Sequence, residues 1–118
     1  MPKEIPVPDA PFSSIFIDLS EFSYEIVFYW NEQNKFWTMS IYKIDNTSVV
    51  EGFVLAINSC ISSSWGYKIQ EENDSFGAIY CISTIESNKP LNRYSFGKTA
   101  LLVYYTAEEI EAERLVND

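Results

Sequence analysis

The chain has 118 residues, 47% of them hydrophobic and 21% charged, the balance of a single folded domain, which argues against a mostly disordered chain. Seventeen acidic residues against eight basic ones leave a formal net charge of -9, opposite to what neutralising phosphate requires, so neither nucleic acid nor an anionic membrane is an expected partner. Histidine is absent, which removes the commonest general base, the usual triads and most zinc sites.

Pro2, Pro6, Pro8 and Pro11 punctuate the start, and each fixes φ and removes a donor, so residues 1–11 are expected to run as an extended arm. Such an arm fits equally against its own domain or a neighbour. Residues 12–118 are expected to form one β-domain. From Phe12 the pattern has period two, with Ile15, Ile17 and Leu19 on one face and Phe16 and Asp18 on the other. In Phe22 to Trp30 the residues Phe22, Tyr24, Ile26, Phe28 and Trp30 share a face, and Asn31-Glu32-Gln33-Asn34 supplies a turn. Trp37, Met39 and Ile41 then alternate against Phe36, Thr38, Ser40 and Tyr42, which predicts an antiparallel hairpin.

Asp45-Asn46 marks the next turn, and Ser48 to Ile57 predicts a fourth strand in which Gly52 permits a bulge. Asn58 to Ser64 is Ser-rich and reads as an irregular or briefly helical connection. Trp65 to Ile69 is expected to be a short strand, followed by an acidic turn at Glu71-Glu72-Asn73-Asp74 and a strand through Phe76, Ala78, Tyr80 and Ile82. After a long loop around Asn88, Pro90 and Asn92, Ala100 to Thr106 predicts the last strand. Thr106-Ala107-Glu108-Glu109-Ile110 has the N-cap and first-turn carboxylates of a short helix. The fold class is therefore all-β, a small antiparallel sandwich or barrel with an extended N-terminal arm and one short C-terminal helix.

The chemistry available to this chain is narrow. Glu25, Glu51 and the Glu71-Glu72-Asp74 group are the carboxylates nearest aromatic residues, as in a glycosidase pair, but acidic turns are ordinarily solvated surface. The same turn lacks the alternating ligands of a calcium loop. Cys60 and Cys81 have no CxxC partner and read as thiols of a reducing compartment. No cofactor, metal or catalytic residue is expected. Trp30, Trp37 and Trp65 with the tyrosines suit either core packing or a stacking platform, which leaves a carbohydrate-binding module as the alternative function. Tyr29 and Tyr42 are the better surface candidates, since each lies opposite its strand's richest apolar set. Bulky apolar residues on both faces of the central strands imply a second covered face, hence either a closed barrel with a partner or a protein that works inside an assembly.

The order of these motifs resembles the baseplate plug proteins of contractile-tailed phages, a family with a cyanophage example. Ile5-Pro6-Val7-Pro8, the aromatic run Phe22 to Trp30-Asn31, and Phe36-Trp37-Thr38-Met39-Ser40-Ile41-Tyr42 follow the family pattern. So do Asp45-Asn46, Gly52 with Val54 and Leu55, and Leu102-Val103-Tyr104-Tyr105 with Glu108-Glu109. The resemblance implies a non-enzymatic structural subunit of a virion tail baseplate, assembled in the host cytoplasm, that binds the tail hub and neighbouring baseplate proteins within a symmetric multi-subunit assembly. Arm contacts are expected from Ile5, Pro6, Val7, Pro8 and Pro11, and fold or interface roles from Trp30, Trp37 and Tyr42.

Overall fold

In the computed structural model, which describes residues 3–20, 22–84 and 91–117, period-two alternation sets the architecture. The elements in chain order are β1 (Lys3–Ile5), β2 (Phe12–Leu19), β3 (Phe22–Asn31), β4 (Phe36–Lys43), β5 (Ser48–Val54), β6 (Ser59–Cys60), α1 (Gly66–Gln70), β7 (Phe76–Ser83), β8 (Ala100–Thr106) and α2 (Ala107–Asn117). In β3, Tyr24, Ile26, Phe28 and Trp30 are buried, while Ser23, Glu25, Val27 and Tyr29 turn to the other face. β4 repeats this with Trp37, Met39 and Ile41 inward. The first sheet is the antiparallel meander β2-β3-β4-β5, and the second has the order β1-β8-β7-β6.

The inner faces of both sheets share one core, in which Leu19, Ile26, Phe28 and Ile41 of the first meet Ile79, Cys81, Ala100 and Leu102 of the second. This is a β-sandwich, and it resolves the sandwich-or-barrel alternative. Phe96, in the loop before β8, wedges between Phe28 and Trp37 with ring centroids at 5.6 and 5.1 Å.

Several boundaries differ from expectation for local physical reasons. The expected strand at Trp65 to Ile69 is instead the helix α1, because Trp65 and Ile69, four residues apart, are both buried while Tyr67 and Lys68 are exposed. Among the described residues there are thus two helices rather than the one expected. The connection at Asn58 to Ser64 contains the two-residue strand β6. β5 ends at Val54, three residues before the expected Ile57, and carries a bulge where Gly52 takes φ +63 and donates its N–H to the Ser40 hydroxyl at 3.0 Å. At the start of α2, Thr106 and Glu109 form a capping box: the Glu109 N–H donates to Thr106 Oγ1 at 3.1 Å and the Thr106 N–H to Glu109 Oε1 at 2.9 Å.

The N-terminal segment lies across its own domain from residue 3 onward. Lys3–Ile5 pairs with β8, Ile5 opposite Leu102, and the Ile5 side chain enters the core. Residues 6–11 then cross from the second sheet to the first. Asp9 forms ion pairs with Arg93 at 3.2 Å and Lys98 at 3.4 Å. The Trp30 N–H donates to the Pro11 carbonyl at 2.7 Å. Gly97, at φ +87, lets Val7 approach so closely that a Cβ there would lie 3.1 Å from it.

Candidate functional site

The outer face of the first sheet carries the side chains that the core does not use. Register places Phe12, Tyr29, Thr38 and Val54 in one row across all four strands. Phe12, Tyr29 and Val54 are 65%, 48% and 51% exposed, and the Phe12 and Tyr29 rings meet edge to face at 6.2 Å. Two residues further along the strands lies a row of small groups, Ser14, Val27 and Ser40, with the β5 bulge at its end. Beyond it Phe16, 72% exposed, stands beside Glu25, Tyr42 and Ser48. Two aromatic ridges therefore flank a shallow trough, over a patch about 13 Å along the strands and about 14 Å across them. Aromatic groups held rigidly on a sheet present large apolar area at small entropic cost, as in protein interfaces.

The electrostatics of this face are one-sided. Asp18 and Glu25 lie on it and Glu51 stands at the bulge opposite Ser40, whereas no lysine or arginine does so among the described residues. The described cations each have an acceptor within the chain. Lys3 donates to the Asp18 carbonyl at 3.2 Å and Lys68 to the Val49 carbonyl at 3.4 Å. Lys43 pairs with Glu72 at 2.9 Å, Lys35 with Glu32, and Arg93 and Lys98 with Asp9. The Lys35 and Trp30 bonds to Glu32 hold its carboxyl below the usual carboxylate range.

The structure distributes the residues singled out from the sequence over two environments. Ile5, Trp30 and Trp37 are buried in the core of the chain itself, the tryptophans at 6% and 1% exposure. The Trp37 indole N–H donates to the Asn92 carbonyl at 2.9 Å and the Trp30 indole N–H donates to the Glu32 carboxylate at 2.6 Å. Tyr42 is half-buried on the outer face, next to Glu25. Pro6 and Pro11 are exposed and Val7 and Pro8 half-buried along the crossing segment. Phe12, Phe16 and Val54 were not singled out, although Phe16 and Phe12 share the β2 face that the alternation assigns away from Ile15, Ile17 and Leu19.

The remaining candidates do not converge on chemistry. Glu72 is committed to Lys43, and no group of three or more metal-ligating side chains occurs among the described residues. Burial pushes the Cys81 thiol up to about 11. With Trp30, Trp37 and Trp65 all buried, the tryptophan platform of a carbohydrate-binding module does not exist, and nothing favours that alternative.

Residues 3–108 match the sequence model of a family described as cyanophage baseplate Pam3 plug gp18. The chain belongs to this baseplate plug family. The resemblance read from the ordered aromatic and Gly-led motifs is thus borne out over most of the chain. No curated protein matches it. Membership makes the chain a structural protein of a phage tail baseplate, located in the virion tail and associated with other baseplate proteins. A plug that works among packed neighbours also accounts for a sheet with apolar groups on both faces.

Proposed function

We propose that this plug is a non-enzymatic subunit that binds the tail hub and its neighbouring baseplate proteins in a symmetric assembly built in the host cytoplasm. The observation that carries this reading is the outer face of the first sheet, where Phe12, Phe16, Tyr29 and Val54 are exposed on a rigid four-stranded support. Tyr42 contributes to the contact from within that face. Pro6, Val7, Pro8 and Pro11 add a second contact along the crossing segment, while Ile5, Trp30 and Trp37 act from below by fixing the shape that the partner meets. The assembling unit is a single β-domain of residues 12–118 with the segment of residues 1–11 as its strap. Surface area of this kind gives association without requiring any reactive group.

The test is co-expression with the baseplate proteins encoded beside it, followed by size-exclusion chromatography and mass determination. Co-elution with the hub at fixed stoichiometry is the expected result. A stable monomer that co-elutes with none of them would overturn the reading.

A further inference from the structure

We infer that the outer face of the β2-β3-β4-β5 sheet receives a protein surface that pairs apolar side chains with lysine or arginine, and not a second copy of this chain. The inference rests on the proposed function and names the chemistry of the partner. Its first support is the geometry of the face: ridges headed by Phe12 and Phe16 on either side of the Ser14, Val27 and Ser40 trough take up apolar groups of a facing surface. Its second support is charge. Asp18 and Glu25 stand on the face and Glu51 at its bulge, and none of the three forms an ion pair among the described residues.

A second copy packed face to face would bring these carboxylates against their own equivalents, within a pair carrying twice the net charge of -9. Like charges juxtaposed in a desolvated contact oppose association, whereas an opposing cation both steers the encounter and fixes the register. Among the described residues no lysine or arginine stands on this face, and each of them already has an internal acceptor. The complementary charge therefore comes from a different protein.

The test compares the wild-type chain, the double variant Glu25→Lys/Glu51→Lys, the double variant Phe12→Ser/Phe16→Ser, and a control, Glu71→Lys/Asp74→Lys, in the exposed turn after α1. Each is co-expressed with the neighbouring baseplate proteins, the captured protein is identified by mass, and thermal melting confirms the fold. The wild type and the control should capture the same baseplate protein, and both face variants should lose about tenfold or more in capture. Moderate salt should weaken the wild-type complex. Where the charge variant does not fold, salt-dependent capture by the wild type, abolished by Phe12→Ser/Phe16→Ser, decides the question in the same direction. Wild-type capture that neither face variant weakens would overturn the inference while leaving the proposed function standing. A purified wild-type dimer abolished by Phe12→Ser/Phe16→Ser would also overturn it. Failure of the wild type to capture any baseplate protein would remove the proposed function and this inference together.

Discussion

The indole N–H of Trp37 donates to the main-chain carbonyl of Asn92 at 2.9 Å, tying β4 of the first sheet to the loop that leads into β8 of the second. The Arg93 guanidinium lies over the same indole at 5.8 Å, and Phe96 packs against it at 5.1 Å. One side chain therefore links the closing loop, the core and, through Arg93 and Asp9, the N-terminal strap.

Replacing Trp37 by Phe keeps an aromatic ring but removes the donor to the Asn92 carbonyl and leaves part of the buried indole's volume empty. The expected loss is about 1–3 kcal/mol of unfolding free energy, read from urea denaturation. An unchanged midpoint would show that the bond is dispensable.

Gly77 sits where the start of α2 crosses β7. A Cβ there would lie 2.5 Å from the Tyr105 carbonyl oxygen, 2.6 Å from the Thr106 carbonyl carbon and 2.7 Å from Ile110 Cδ1. Two of these are backbone atoms, so the neighbours cannot simply rotate away. Gly77→Ala should destabilise the fold by about 1–3 kcal/mol and loosen α2, measured by thermal melting and amide exchange of residues 107–112. At Gly52 a Cβ meets nothing within 4 Å, but φ is +63. Gly52→Ala should cost only about 1 kcal/mol, from backbone strain alone.

The strands of the first sheet and the cap of α2 are legible in the sequence because each depends on neighbours within the same segment. Ile15 to Leu19, Tyr24 to Trp30 and Trp37 to Ile41 alternate as written, and Thr106 with Glu109 forms its own cap. β7 is the counter-example. The expected strand through Phe76, Ala78, Tyr80 and Ile82 forms with Phe76 and Ala78 buried, but beyond them Ile79 and Cys81 are the buried residues, with Tyr80 half-buried and Ile82 exposed. The register shift between Phe76 and Ala78 inverts the alternation. At that bulge Gly77 lies against the Tyr105 and Thr106 backbone of β8 and Ile110 of α2, a tertiary contact with no local signal. The candidate site divides in the same way. That both faces of β3 are apolar is visible in the sequence, but the row from Phe12 to Val54 exists only through the pairing of four strands. Trp30 and Trp37, equally aromatic, face the core instead.

Asp9 gives the strap a pH dependence of defined sign. The hydrogen bond from Arg93, followed by the charge of Lys98, holds its carboxyl below the ordinary aspartate value. A depressed folded-state pKa contributes stability above the unfolded value of about 4, and that contribution is lost as pH falls through the folded value. Asp9→Asn should therefore lower the melting temperature at neutral pH, with the difference from wild type shrinking as the pH falls below the unfolded value. A difference that persists in acid would assign the effect to something other than the Arg93 and Lys98 pairs.

Cys60 and Cys81 are both free, and the pairing of Ser59 with Cys81 and of Cys60 with Tyr80 directs their side chains to opposite faces of the second sheet. An oxidant should form no bond between them in the native protein. Burial raises the Cys81 thiol to about 11, so iodoacetamide should label half-buried Cys60 first and Cys81 only on unfolding. Equal native labelling rates would contradict the burial of Cys81.

The central claim is that the plug meets another baseplate protein through the outer face of its first sheet. The most direct measurement places a photo-crosslinking amino acid at Tyr42 in the assembled tail, irradiates, and identifies the adduct by mass. An adduct with a different baseplate protein, at a segment carrying lysine or arginine, is the predicted result. An adduct confined to a second copy of the chain, or none in a tail that contains the protein, would contradict it.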